Sequence, residues 1–208
     1  MPDHENHSDD CFLCSPNEGW VWAKSDDFFA MAALGPIVEG MSIVASRAHV
    51  RSMFDVPTEL SEALETFSRS AQDHLAETFD TPVHITEHGR VGLCEIQAPR
   101  RDQHCYHAHR LVFPTHADMA SALEASAFEP LQAGSFDDAR RIAGHLVEYL
   151  YYAAPDGSVA VGTYDGLTPR QFFRGVVADA VGRPELRSWR AHPRYALVDA
   201  AAARLLAR

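Results

Sequence analysis

The stretch Gln103-His104-Cys105-Tyr106-His107-Ala108-His109 concentrates imidazoles in one short, strand-like segment. Alternate residues of a strand share a face, so His107 and His109 project to the same side, one pleat apart. One ring there can hold a metal while its neighbour acts as a nucleophile or base. Upstream, Cys11-Phe12-Leu13-Cys14 brings two thiols one turn apart. Two thiolates and two imidazoles are a common tetrahedral donor set for structural zinc, and the ligands can come from distant segments. The two histidines must come from the 12 in the chain. His49 suits because it follows a strand and a short basic turn; His107 suits because of its face. Taken alone, a Cys-x-x-Cys is equally well two small apolar residues in a turn. A redox dithiol fits less well, since no βαβ pattern surrounds it.

The elements that must position these residues can be read from periodicity. Trp20–Ala23, Phe28–Ala32 and Met41–Ala45 read as short strands, with the turn-forming Lys24-Ser25-Asp26-Asp27 between the first two and Gly35-Pro36 in the second connection. From Thr58 to Phe79, Leu60, Leu64, Phe67, Ala71 and Leu75 recur at three- and four-residue steps, which predicts a long amphipathic helix. Val83–Glu87 and His107–Phe113 follow as strands, and Gly89–Gln103 as a hairpin with a long tip. The second half reads as helix-rich. Ser135 opens a helix with Ile142, Leu146 and Leu150 as its stripe; Thr168-Pro169-Arg170-Gln171 has the form of a capping box with proline at the first helical position. Residues 194–207 form a last helix. These elements give an α+β class with a helix-rich second half, and residues 1–10 read as a disordered arm.

Composition bounds the function. The chain has 208 residues, 46% of them hydrophobic, with 29 acidic against 18 basic residues and a formal net charge of -11. So acidic a surface repels a phosphate backbone, so nucleic-acid binding is not expected. A single pocket can still be locally positive and take a small phosphate-bearing molecule. No stretch approaches the roughly 18 apolar residues of a membrane span, and residues 1–10 lack the pattern of a signal peptide. A cytoplasmic protein is expected, in which Cys11 and Cys14 serve a metal rather than a disulfide, with Cys94 and Cys105 in apolar strand-like contexts.

Several motifs in order carry a family resemblance. Phe28–Ala32, then Gly40–Ala45 and Ser46-Arg47-Ala48-His49, then the helix, then Glu87-His88-Gly89, then Gln103…His107-Ala108-His109 and Pro114 resemble the histidine-triad (HIT) superfamily. The arrangement of Cys11, Cys14, His49 and His107 is similar to its zinc-bearing branch, which includes galactose-1-phosphate uridylyltransferase. The resemblance covers residues 11–116 and implies a HIT-like core there, an antiparallel sheet with a long packed helix, with residues 117–208 as a helix-rich C-terminal extension packed on the core. It implies a structural zinc on Cys11, Cys14, His49 and His107, with His107 also the first triad position. It implies that His109 is the central, nucleophilic histidine, which takes a nucleotidyl group from a phosphate ester or anhydride and passes it to water or another acceptor. A nucleotide substrate and a homodimer are implied as well.

The sequence departs from that pattern at four places. Leu111 occupies the third triad position, His104 a position often held by Ser, Glu87 that of an Asn, and Ala33 that of the ribose-binding acid. Gln103, His104 and His88 are the candidates to replace the missing phosphate donors. Arg100 and Arg101 on the hairpin tip, and Gln171 with Arg174 near a helix start, are weaker ones. Arg110 falls on the face opposite His109 and is expected to be structural. A second reading is a binding protein that kept the fold and the zinc but not the catalysis.

Overall fold

The computed structural model describes residues 11–90, 107–164, 169 and 171–207. The expected arm at 1–10, the hairpin tip, and the candidates Gln103, His104, Arg100, Arg101, Cys94, Cys105 and Thr168 lie outside the described residues.

The strands are β1 (Val21–Lys24), β2 (Phe28–Ala32), β3 (Ser42–Ser46), β4 (Val83–Gly89), β5 (His109–Pro114), β6 (Phe128–Ala133), β7 (Tyr149–Ala153) and β8 (Val159–Tyr164). They form one eight-stranded sheet in the order β1-β2-β3-β5-β4-β7-β8-β6, and every neighbouring pair is antiparallel. The helices are α1 (Ser61–Phe79), α2 (Met119–Glu124), α3 (Phe136–Gly144), α4 (Phe172–Ala180) and α5 (Tyr195–Leu206). This is the antiparallel sheet with a long packed helix that the family resemblance implies.

Every residue of β2 and β3 is buried, as expected of central strands whose two faces are both covered. One face packs under α1, α3 and α5: Phe28, Ala30, Val44, Val83, Ile85, Val112 and Tyr151 meet Leu64, Ala71, Leu75, Phe136, Ala139 and Leu205. Phe29, Met31, Ile43, Ala45 and Phe113 line the other face and pack against Val177 and Ala178 of α4 and Leu186. Farther along that face, Leu150 and Ala160 meet Leu123, Phe172 and Phe173. Cys11 and Leu13 belong to this second layer, so the N-terminal thiols arrive on the face that carries His109.

Three local expectations change. The stripe Ile142–Leu146–Leu150 does not lie on one helix: α3 ends at Gly144 and Leu150 belongs to β7. A four-residue apolar spacing fits a helix, but the run Tyr149-Leu150-Tyr151-Tyr152 is a strand covered on both faces, which periodicity alone does not separate from a helix. The second half therefore contributes β6, β7 and β8 to the sheet as well as helices. The helix after Pro169 begins at Phe172, with Gln171 as a left-handed N-cap (φ 59°) making no side-chain cap bond, rather than as the third helical residue of a capping box. Arg174 is buried, and its guanidinium donates to the carbonyls of Gly35, Leu186 and Arg187. It braces the loop under α4 and is committed there instead of to an anion.

Candidate metal and histidine site

Cys11 and Cys14 sit in a tight turn closed by the Cys14 N–H on the Cys11 carbonyl at 3.0 Å. His49 follows β3, and His107 precedes β5, which pairs with β3. The Cys-x-x-Cys turn and the ends of two neighbouring strands thus bring four ligands together. Their ligating atoms all lie within 4.8 Å of one another. Among these, Sγ of Cys14 is 3.0 Å from Nδ1 of His49 and 3.4 Å from Nδ1 of His107, and Sγ of Cys11 is 3.4 Å from the latter. Metal–sulfur and metal–nitrogen bonds of zinc length set a tetrahedral S···N edge of about 3.5 Å. The two spacings to His107 match that edge, the Cys14–His49 spacing is shorter, and the four side chains can hold a metal ion.

The second nitrogen of His107 supplies an independent test of fit. Its Nε2 lies 2.6 Å from the carbonyl of Ser46. A carbonyl only accepts, so Nε2 carries the hydrogen and Nδ1 presents a lone pair to the two sulfurs. This is how ligating histidines are oriented by their outer partners. With no cation, burial and the neighbouring Cys11 push the Cys14 thiol up to about 12. A cation between the sulfurs removes that opposition, since a metal binds the thiolate.

His109 opens β5 and is half-buried. Its Nδ1 donates to the carbonyl of His107 at 3.0 Å, which leaves Nε2 as the lone-pair nitrogen. Burial lowers its pKa below the ordinary imidazole value; the His107 carbonyl opposes this, while the charges of His107 and His88 reinforce it. Burial thus favours the neutral ring, with Nδ1 committed to the carbonyl.

His88 lies on β4, where Thr86 pairs with Leu111 and His84 with Phe113. His88 and His109 each lie two residues beyond the Thr86–Leu111 pair, on the same face of the sheet. Nε2 of His88 is 2.5 Å from Oε1 of Glu148, and the two side chains are 15% and 40% exposed. Glu148 was not legible in the sequence: it stands 60 residues from His88 in an irregular segment before β7. Two residues back on β4, Nδ1 of His84 is 2.9 Å from the hydroxyl of Tyr152, with burial lowering the His84 pKa.

Leu111 packs with the apolar layer beneath α4, and Ala33 is buried in it. Neither offers a polar atom to a ligand. Arg110, as its alternation requires, turns to the opposite face. There it is 1% exposed, donates to Ser68 and Glu87, and lies 4.6 Å from the centroid of the Tyr151 ring.

No protein-family model and no curated protein matches the chain. Among solved structures, the fold is similar to a hypothetical histidine triad nucleotide-binding protein from Sulfolobus tokodaii strain7, with TM-score 0.39 and 16% identity over 50% of this chain and 68% of that one. It is also similar to a Hit-like protein involved in cell-cycle regulation from Bartonella henselae, with TM-score 0.36 and 16% identity over 50% of this chain and 73% of that one.

Proposed function

We propose that the chain is a zinc-bearing, histidine-triad-like enzyme that transfers a nucleotidyl group through a covalent intermediate on His109. The observation that carries this reading is the division of the His109 ring: Nδ1 is tied to the His107 carbonyl at 3.0 Å, so Nε2 is the nucleophilic nitrogen. Nε2 attacks phosphorus of a phosphate ester or anhydride; the P–N bond forms as the bond to the leaving oxygen breaks and its electron pair leaves with that oxygen. Water or another acceptor then attacks phosphorus and releases His109. Splitting one displacement into two is the gain of nucleophilic catalysis.

Cys11, Cys14, His49 and His107 would hold the zinc, which would supply structural cross-linking outside these steps. The backbone carbonyl of His107, one of those ligands, sets the His109 ring. His88 lines the substrate side, with Gln103 and His104 as further contacts. A phosphate-bearing small molecule, a nucleotide conjugate, is the substrate class.

Intact-protein mass spectrometry with nucleoside 5′-phosphate esters tests the reading. The expected result is a mass increase of one nucleotidyl group on the wild type, absent from His109→Ala together with turnover. Unchanged turnover in His109→Ala rules the reading out. A specific observation favours a second reading, a ligand-binding protein without turnover: at Leu111 the expected polar partner is replaced by a side chain packed in the apolar layer. In that case a nucleotide raises the melting temperature and is recovered intact.

A further inference from the structure

The pair His88–Glu148 has no place in the chemistry derived so far. It lies on the His109 side of the sheet, held by a 2.5 Å contact between Nε2 of His88 and Oε1 of Glu148. β4 and β5 pair through Thr86 and Leu111, and His88 and His109 each lie two residues beyond that pair, on the same face of their neighbouring strands. Glu148 immediately precedes β7, where Leu150 pairs with His88. The carboxylate thus orients one ring nitrogen from beside a neighbouring strand, as an orienting acid does for a catalytic histidine. On the other side of His109, Leu111 offers no proton to a leaving group.

We propose that His88, oriented by Glu148, is the proton donor and acceptor of the His109 reaction. This rests on the reading of His109 as nucleophile. With Nε2–H committed to Glu148, Nδ1 is the nitrogen left to act. In the first displacement, Nε2 of His109 bonds to phosphorus and the P–O bond to the leaving group breaks onto its oxygen. The His88 imidazolium gives that oxygen its Nδ1 proton and becomes neutral. In the second displacement, Nδ1 takes a proton from water as the water oxygen bonds to phosphorus and the P–Nε2 bond to His109 breaks. The proton balance closes over one turnover, and no other reactant is needed. His88 is the catalytic residue of the pair and Glu148 the positioning residue.

The test compares leaving groups. Methyl and p-nitrophenyl 5′-phosphate esters of the four common ribonucleosides are assayed with wild type, His88→Asn, Glu148→Gln and His109→Ala. Methoxide needs a proton to leave and p-nitrophenoxide does not. His88→Asn should lower kcat/KM for the methyl ester roughly a hundredfold or more, within the usual range of general-acid catalysis, and kcat/KM for the p-nitrophenyl ester, which like the first reports the first displacement alone, about threefold at most. Glu148→Gln should show the same contrast at smaller size, about tenfold against no change. Because the Glu148 side chain is 40% exposed, that variant carries the test if His88→Asn does not fold, as judged by circular dichroism. Equal losses on both esters, or none, overturn the proposal while leaving the His109 reading intact. Full turnover by His109→Ala, or no turnover of any ester by the wild type, overturns both.

Discussion

Two neighbouring histidines use their ring nitrogens in opposite ways. His107 donates from Nε2 to the Ser46 carbonyl and turns Nδ1 to the sulfurs; His109 donates from Nδ1 to the His107 carbonyl and keeps Nε2. The proposed metal-ligand and nucleophilic roles rest on which carbonyl each ring reaches. The expected metal content is about one zinc per chain. Cys14→Ser should abolish it, since the hydroxyl is a poor ligand for a borderline-soft ion. Chelation should lower the melting temperature by about 5 °C or more, as removal of a native-state ligand does. Metal analysis and a thermal scan check both, and a metal-free wild type that melts as high as the untreated protein would refute the zinc assignment. Much of this site was legible in the sequence. The Cys-x-x-Cys spacing and the alternation His107-Ala108-His109 are local, and His49 sits directly after a strand. Glu148 was not legible, because its meeting with His88 depends on β7 pairing with β4, a contact between distant segments.

At the scale of elements, one buried carboxylate joins three strands and a turn. Glu87 of β4 is 2% exposed. It accepts from the Tyr149 hydroxyl of β7 at 2.6 Å, from the Met53 N–H at 2.8 Å, and from Nε of Arg110 on β5 at 3.4 Å. Burial raises its pKa, and Arg110 opposes that rise most strongly. Leaving either charge alone in this layer is costly. Glu87→Ala should destabilise the protein by about 3–5 kcal/mol, while replacing both partners by apolar residues should cost much less than the sum of the single changes. Urea unfolding of Glu87→Leu, Arg110→Met and the double variant measures the coupling; strict additivity would show that the pair is not a unit. The sequence pattern placed Arg110 away from His109 but did not place Glu87 in the core. Strand alternation assigns faces, whereas this carboxylate is tolerated inside only because its donors converge from β5, β7 and the turn at Met53–Asp55. The same limit appears in the second half, where Leu150 kept a helical spacing and became part of a strand.

At the scale of the molecule, the sheet makes residues 11–116 and 117–208 interdependent. β4 hydrogen-bonds to β5 on one side and to β7 on the other, so the edge that β4 would otherwise expose is filled from within the chain. A second copy would have to dock elsewhere. On one face α5 contributes Leu205 to the layer beneath α1; on the other α4 covers Phe113 and Ile43. A chain ending at residue 116 loses both covers and bares the N–H and C=O row of β4. Unpaired apolar strands of this kind recruit other chains, and the uncovered layer is a contiguous apolar patch. The truncated chain is therefore expected to self-associate or aggregate, with its near-ultraviolet circular dichroism lost. Light scattering on the purified fragment and its spectrum provide the check. A monomeric fragment with the full-length chain's near-ultraviolet signal would show that the first segment is a domain in its own right. The effect on the site follows from the same pairing: Glu148 leaves with β7, so a fragment that did fold would keep Cys11, Cys14, His49, His107 and His109 but not the partner of His88. It would bind metal and, on the proposed chemistry, turn over p-nitrophenyl esters in preference to methyl esters.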